Sequence, residues 1–253
     1  MPTPPALPPA AQAGRLAPWP AWAGGLAPSM CGVCGAWSSR GVCPACVGRF
    51  VARVARCERC AIRVPDGMAP CGRCLATPPP FDHATAAVDY DFPWSGAIAA
   101  FKFRGALEWA APLSRLLADA VAADVRAQVD VVTAVPLSAA RWRERGYNQA
   151  WEIARRVARA RGLPTCAGAL RRLRDTPHQV QLDRRQRDAN LRGAFMPGDA
   201  RDRARVQGRR VALVDDVLTT GVTAGEAARC LREAGAAEVQ VWVLARTERS
   251  HDD

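Results

Sequence analysis

Two adjacent acids and a threonine–glycine turn stand out near the C-terminal end of the sequence. Residues 211–223 read VALVDDVLTTGVT, in which four apolar residues lead into Asp215 and Asp216 and a Thr-Thr-Gly turn ends at Gly221. A helix predicted after this turn would direct backbone N–H groups at a phosphate dianion. Gly221 would let the backbone approach that ligand closely. Two carboxylates suit the hydroxyls of a sugar, directly or through Mg²⁺. The pattern therefore predicts a sugar-phosphate site.

The same segment lacks the features of two other phosphate sites. It has no Gly-Lys-Ser/Thr, as a Walker P-loop requires, and no G-x-G-x-x-G dinucleotide fingerprint. It resembles the signature of type I phosphoribosyltransferases. That resemblance implies that Asp215 and Asp216 hold the ribose of 5-phosphoribosyl-1-pyrophosphate, with Mg²⁺. It also implies that the following loop binds the 5′-phosphate, through Val217, Leu218, Thr219, Thr220, Gly221, Val222 and Thr223.

Eight of the ten cysteines form four successive C-x-x-C pairs near the N-terminal end. They are Cys31/Cys34, Cys43/Cys46, Cys57/Cys60 and Cys71/Cys74. This spacing turns two thiolates towards one ion, and zinc takes four ligands in a tetrahedron. We therefore expect two closed Cys₄ zinc sites, which offer no open position for catalysis and favour a structural or docking role. Gly32, Gly35 and Gly72 would give the turns between paired cysteines their backbone freedom.

Other interpretations of the cysteines are less consistent with the sequence. Disulfides need an oxidising compartment, and a redox C-x-x-C normally occurs once, on a thioredoxin-like pattern. Pairing of consecutive C-x-x-C units needs the shortest loops, and a cross-braced arrangement stays open. Cys166 and Cys230 lie outside the pattern and are expected to be small buried residues.

Charge and hydropathy restrict the class of protein. The formal net charge is +11, and residues 141–210 hold 19 Arg against 7 Asp plus Glu. A concentrated basic stretch indicates an anionic partner, either a polyphosphate or a nucleic acid. No apolar run approaches the roughly 20 residues of a membrane span. The Pro- and Ala-rich start does not resemble a secretory signal. We therefore expect a cytoplasmic protein.

Apolar patterning predicts alternating strands and helices after the cysteines. Strands are predicted at 84–90, 129–137, 209–214 and 238–244, and helices at 94–103, 109–126, 146–160 and 223–234, with Gly235 ending the last helix. This order predicts an α/β fold, a mostly parallel sheet with helices on both faces. Ligands of such sheets bind at the carboxyl ends of the strands.

Three further motifs narrow the resemblance. Residues 101–105 read FKFRG, residues 135–138 read VPLS before RGYNQ at 145–149, and a spaced polar series runs from 174 to 195. With the cysteine pairs, the set from 31 to 247 resembles the ComF family. The resemblance implies a zinc-binding module joined to a phosphoribosyltransferase-like domain. It also implies a link to competence-machinery proteins and imported single-stranded DNA.

The resemblance also assigns residues. Val135, Pro136, Leu137 and Ser138 would form the pyrophosphate loop, and 174–190 the mobile hood over the site. Lys102, Arg145 and Arg187 are candidates to neutralise pyrophosphate. Tyr147 and Trp142 could stack on a base, but core packing is the expectation for both. His178 is expected to be a loop residue, not a general base.

These observations predict five segments and three functions. The segments are a disordered lead-in (1–30), the zinc module (31–76), a stiff proline linker (77–83), the phosphoribosyltransferase-like domain (84–247) and a tail (248–253). The chain could transfer a phosphoribosyl group, sense the phosphoribosyl ligand without catalysis, or act as a single-stranded-DNA adaptor. Both acids are present, which favours a protein that binds the ligand.

Overall fold

The computed structural model of the protein describes residues 29–66, 68–173 and 193–248. In chain order its elements are β1 (Ser29–Met30), β2 (Trp37–Ser38), α1 (Pro44–Phe50), α2 (Gly72–Ala76), β3 (His83–Asp89), α3 (Trp94–Phe103), α4 (Ala110–Ala123), β4 (Val131–Ala134), α5 (Ala139–Arg145), α6 (Gln149–Arg161), β5 (Leu170–Arg172), β6 (Phe195–Pro197), α7 (Ala200–Val206), β7 (Arg210–Leu218), α8 (Val222–Glu233) and β8 (Glu238–Arg246). None of these helices is long and apolar enough to cross a bilayer.

Four parallel strands form the central sheet. Their order is β3–β8–β7–β4, and each neighbouring pair runs in the same direction. The carboxyl ends of all four strands therefore meet at one edge of the sheet. A separate antiparallel pair, β5 with β6, flanks the segment 174–192, which lies outside the described residues.

Apolar side chains cover both faces of this sheet, because its strands are buried in near-continuous runs. One face packs Phe101, Leu117 and Ile153 of helices α3, α4 and α6 against Trp242. The other packs Leu231 of α8 with residues such as Leu213 and Val241. The predicted α/β fold with a parallel sheet covered on both faces is confirmed.

The cysteine-rich segment packs directly on the helices of the sheet domain. A Cβ atom on Gly32 would lie 2.5 Å from the ring of Trp109, so this glycine permits a close approach. The indole N–H of Trp94 donates to the carbonyl of Phe50 at 2.9 Å. Of the glycines expected to relax the cysteine turns, Gly35 has a positive φ of 74°, whereas Gly32 and Gly72 do not.

The proline segment also packs against the sheet domain. Phe81 is 2 % exposed, and a Cβ atom on Gly225 of α8 would lie 3.2 Å from Pro80. The backbone N–H of Asp82 donates to the carbonyl of Val239 at 2.9 Å. Residues 78–82 therefore form a fixed wall beside the start of α8.

Two predicted strands differ from the structure in their bounds. The strand predicted at 129–137 is only Val131–Ala134, because just these four residues pair with β7 and Pro136 offers no N–H. The strand predicted at 209–214 continues to Leu218, because β8 also extends further and pairs Val217 with Ala245 and Leu218 with Arg246. The predicted final helix ends as expected, with Gly235 at a φ of 95°.

Candidate functional site

Asp215 and Asp216 lie in the second half of β7, towards the carboxyl edge of the sheet. The loop expected over 215–223 is shorter than the sequence indicated, since β7 includes both acids and ends at Leu218. Only residues 219–221 form the turn, and α8 begins at Val222. The acids therefore stand on a rigid strand, and the turn follows them directly.

Asp216 is held in a buried polar network. Its side chain is 3 % exposed, and its Oδ2 lies 2.9 Å from the Nζ atom of Lys102. The side-chain amide of Gln149 donates to the same oxygen at 3.1 Å, and the N–H of Val217 donates to Oδ1 at 2.8 Å. Lys102 comes from the last turn of α3 and Gln149 from the first turn of α6. A buried carboxylate needs such partners, and here three elements supply them.

Asp215 has no such set of donors. Its Oδ1 accepts the N–H of Asp216 at 2.9 Å, and no other hydrogen bond to it is found in the described residues. Burial and the neighbouring charge of Asp216 raise the pKa of Asp215 to about 7, although Lys102 and Arg172 oppose the rise. The half-buried carboxyl therefore keeps acceptor capacity for a ligand hydroxyl or a cation.

The turn at residues 219–221 contains a glycine in the left-handed conformation. Gly221 is the N-cap of α8 and has a φ of 85°, where a side chain would cause strain. Thr219 and Thr220 are exposed, and within the described residues the N–H groups of residues 219–221 donate to no protein group. These donors directly precede the N-terminus of the twelve-residue helix α8.

Residues 135–138 form the connection from β4 to α5 at the same edge. The N–H of Val135 donates to the carbonyl of Val214 at 2.9 Å, which ties this connection to β7. Asn148 donates to the carbonyl of Val135 at 3.1 Å, and Ser138 is the N-cap of α5. In the described part of the chain, the N–H groups of Leu137 and Ser138 have no protein acceptor. Pro136 has no N–H to satisfy.

Cations and exposed aromatic rings lie beside this edge. The guanidinium of Arg145 donates to the side-chain oxygen of Gln149 at 3.1 Å and lies 5.1 Å from the ring centre of Phe103. Burial and the charge of Arg141 lower its pKa. Trp142 is 50 % exposed, so its expected core packing was wrong, whereas Tyr147 packs on Phe101 with ring centres 5.6 Å apart. Arg187, His178 and the expected hood at 174–190 lie outside the described residues.

The eight paired cysteines form two compact groups. The first cysteine cluster is Cys31, Cys34, Cys43 and Cys46, and the second cysteine cluster is Cys57, Cys60, Cys71 and Cys74. Consecutive pairs therefore combine, and the cross-braced alternative is wrong. Ala61 follows the first pair of the second cluster with a φ of 57°, the conformation that Gly35 has in the first.

The spacing of the sulfur atoms fits tetrahedral zinc. The ligand atoms of each cluster lie within 4.8 Å of one another, and the pairs Cys34–Cys43 and Cys60–Cys71 have Sγ atoms 3.7 Å and 3.8 Å apart. A tetrahedron with Zn–S bonds of about 2.3 Å has edges of about 3.8 Å. The N–H of Cys43 donates to the Sγ of Cys31 at 3.3 Å, as a thiolate ligand requires. Burial raises the pKa of Cys31, but donors such as this one outweigh it and lower the pKa to about 6.

A cavity of about 320 Å³ separates the second cysteine cluster from the 219–221 turn. Its walls include Cys60 and Arg73 on one side and Thr220 and Gly221 on the other, with Pro80 between them. Neither Asp215 nor Asp216 lines it. The cavity is thus a space between the cysteine-rich segment and the turn.

Comparison with known proteins agrees with this arrangement. The family model for the phosphoribosyl transferase domain matches residues 104–253. The DNA utilization protein YhgH of Salmonella typhimurium is 37 % identical over 227 residues, covering 87 % of this chain and 98 % of that protein. Competence protein F of Haemophilus influenzae is 33 % identical over 213 residues, covering 83 % and 92 %. The chain belongs to the ComF family.

A more distant likeness concerns part of the fold. The solved structure of the allosteric regulatory enzyme of purine biosynthesis is 30 % identical over 52 % of this ComF-family chain and 25 % of its own, with a TM-score of 0.35. The ComF relatives cover more of the chain than the 104–253 segment, so their similarity extends into residues before the phosphoribosyl transferase domain.

Two residues of this ComF-family site were missed as site residues from the sequence. Gln149 forms hydrogen bonds with both Asp216 and Arg145. It belongs to the RGYNQ sequence at 145–149, which already contributed to the resemblance. Arg246 is 3 % exposed and donates to the carbonyls of Leu218 and Thr219. It lies at the end of an apolar strand, where nothing in the local sequence indicated a role.

Proposed function

We propose that this ComF-family protein binds 5-phosphoribosyl-1-pyrophosphate with Mg²⁺ at the carboxyl edge of β4 and β7. The observation that carries the proposal is that Asp215, with open acceptor capacity, shortly precedes a turn whose backbone N–H groups have no protein partner among the described residues. Asp215 then supplies acceptors for the ribose hydroxyls, and the turn that follows it supplies donors for the 5′-phosphate.

Each group has a defined part in this proposal. Residues 219–223 bind the 5′-phosphate, and Asp215 accepts from the ribose hydroxyls. The N–H groups of Leu137 and Ser138 bind the pyrophosphate, with Lys102 and Arg145 supplying positive charge. Mg²⁺, held by the Asp215 carboxylate and ligand oxygens, would neutralise the pyrophosphate. Asp216 positions Lys102 through their buried ion pair.

The biological role proposed is in DNA uptake or utilisation. It rests on the relatives, which are named as DNA utilization and competence proteins and cover most of this chain. Single-stranded DNA and proteins of the competence machinery are the partners that this role implies. The two cysteine clusters, with their tetrahedral sulfur spacing, support the proposal of structural zinc in the N-terminal module. This module could contact such partners.

Catalysis would be transfer of the phosphoribosyl group. An acceptor nucleophile would form a bond to C1 of the ribose as the bond to pyrophosphate breaks, with pyrophosphate leaving and the acceptor losing its proton to solvent. A screen of bases and amines for phosphoribosylated product separates an enzyme from a sensor. Ligand binding without turnover by any acceptor would favour the sensor.

A single-stranded-DNA adaptor is the second candidate, and one observation favours it. Trp142 and Phe103 are 50 % and 62 % exposed beside Arg145, an arrangement suited to base stacking and phosphate contact. Binding of an oligonucleotide that survives Asp215→Asn but is lost in Trp142→Ala would support the adaptor.

Calorimetric titration with 5-phosphoribosyl-1-pyrophosphate and Mg²⁺ tests the main proposal. Asp215→Asn should raise the Kd by about tenfold or more, because a charged acceptor of ligand hydroxyls is lost. Asp119→Asn is the matched control. Asp119 is exposed on α4, so this substitution removes the same charge at a position away from the site. Equal affinity of the wild type and Asp215→Asn would contradict the assignment of Asp215.

A further inference from the structure

Arg246 joins two parts of the molecule that the cavity otherwise separates. Its Nε donates to the carbonyl of Cys60 at 2.8 Å, and its Nη1 donates to the carbonyls of Leu218 at 2.8 Å and Thr219 at 2.6 Å. In the described ranges, no other side chain donates to both the second cysteine cluster and the 219–221 turn. The guanidinium therefore forms a direct link between them.

This link fixes the direction of the backbone N–H groups in the turn. In a trans peptide the C=O and the next N–H point in opposite directions. Because Arg246 holds the carbonyls of Leu218 and Thr219, the N–H groups of Thr219 and Thr220 point away from it. Within the part of the chain that the structure describes, these two donors have no protein partner, and both belong to the proposed 5′-phosphate site.

The charge of Arg246 needs compensation. The residue is 3 % exposed, and its acceptors among the described residues are the carbonyls of Cys60, Leu218, Thr219 and Thr247 and the hydroxyl of Thr247, all of them neutral. A buried guanidinium without a carboxylate is costly. Four thiolates around one Zn²⁺ carry a net charge of about −2, and the second cysteine cluster lies beside this side chain.

We propose that Arg246 is a positioning residue through which the second cysteine cluster, with zinc bound, sets the donor geometry of the 219–221 turn. The inference rests on the proposed function, because it assigns to one zinc site a part in phosphate binding. By linkage, metal at that site and ligand at the turn then strengthen one another.

The first cysteine cluster provides an internal comparison. It packs against Trp109 and Pro112 at the start of α4, where Gly32 and Gly41 make close approaches. In the described part of the chain it has no hydrogen bond to the turn or to Arg246. Its loss should lower stability without a specific effect on the turn.

The first experiment substitutes the arginine. Arg246→Lys keeps the charge but cannot donate to Cys60 and the two turn carbonyls together, so the Kd for 5-phosphoribosyl-1-pyrophosphate should rise about tenfold. Amide exchange of the peptide covering 217–224 should accelerate in the absence of ligand. Arg232→Lys is the matched control, because Arg232 is exposed and lies on α8, the same helix as Gly225. Unchanged affinity and unchanged exchange in Arg246→Lys would overturn the inference.

The second experiment compares the two clusters. Cys74→Ser and Cys46→Ser remove matched ligands, each buried in a short helix. Accelerated exchange at 217–224 in Cys74→Ser but not in Cys46→Ser supports the inference, and equal acceleration in both contradicts it. Amide exchange needs no ligand. If the wild type binds no 5-phosphoribosyl-1-pyrophosphate, the proposed function fails while the exchange result still decides whether the cluster sets the turn.

Discussion

The Nζ atom of Lys102 lies 2.9 Å from the Oδ2 atom of Asp216, whose side chain is 3 % exposed. Lys102 is the single lysine among 35 basic residues, and it occupies the last turn of α3. The pair is thus a buried charge contact between a helix and the carboxyl end of β7. It holds a cation at the edge where a polyphosphate would bind.

Removing one partner of this pair should destabilise the fold. Lys102→Met leaves Asp216 as an uncompensated buried charge, so the free energy of unfolding should fall by about 3 kcal/mol. Lys102→Met combined with Asp216→Asn should recover most of that loss, because the unpaired charge is gone. Urea denaturation measures both. Arg104→Met, an exposed neighbour on α3's C-cap, should change stability by less than about 0.5 kcal/mol.

The raised pKa of Asp215 predicts opposite pH effects on stability and on binding. Its pKa of about 7 lies above the ordinary 3.8, so the native state binds this proton more tightly than the unfolded state. Stability is therefore lost as the pH rises from about 4 to about 7. Asp215→Asn should be more stable than the wild type at about pH 8, by an amount on the order of 1 kcal/mol.

Ligand binding should show the reverse dependence. Ribose hydroxyls or a cation favour the ionised carboxyl of Asp215, so the wild type should gain affinity between about pH 6 and about pH 8. The ligand's own phosphate also titrates near pH 6, but it does so equally with Asp215→Asn. The difference between the two titration series isolates the carboxyl. Parallel pH profiles would show that Asp215 does not contact the ligand.

A second carboxyl predicts acid sensitivity away from the site. Asp124 lies 2.6 Å from the Nε2 of His83 and accepts the hydroxyl of Thr85 at 2.8 Å. Burial raises its pKa, but these contacts outweigh it and lower the pKa to about 2. This stabilisation is present above the ordinary pKa and is lost as the pH falls from about 4 through about 2. Asp124→Asn should cost about 2 kcal/mol at neutral pH and flatten the acid limb of the stability curve.

The cysteine clusters predict a metal content. Purified protein should contain about two zinc ions per chain, since each cluster supplies four thiolates at tetrahedral spacing. Cys74→Ser should reduce the content to about one, whereas Cys230→Ala, outside both clusters, should leave it unchanged. Elemental analysis measures the content. Native protein that contains no zinc and has eight reactive thiols would contradict the assignment of both clusters as zinc sites.

Local sequence predicted the elements that depend on local pattern. Apolar runs located β3 and β8 to within two residues at each end, and C-x-x-C spacing gave both cysteine clusters. The turn after Asp216 was also expected, because its glycine has a local conformational reason. Each of these features depends on residues that are close together along the chain.

Features that depend on distant partners were not predicted. Gln149 meets Asp216 across 67 residues, and Arg246 meets the carbonyl of Cys60 across 186. The end of β7 was misplaced because pairing with β8, not the apolar content of β7 itself, extends it. Trp142 was expected in the core, but its ring lies on the outer side of the short helix α5. None of these contacts produces a repeating pattern within a single segment of the sequence.

The position of the second cysteine cluster has a consequence for self-association. β3 is an outer strand of the sheet, and the N–H of Ala84 near its start donates to the carbonyl of Glu58, at 3.0 Å, within that cluster's first C-x-x-C turn. Unpaired outer strands readily add a strand from another molecule. If the second cysteine cluster holds zinc as proposed, chelation should therefore uncover this edge and promote aggregation through the sheet.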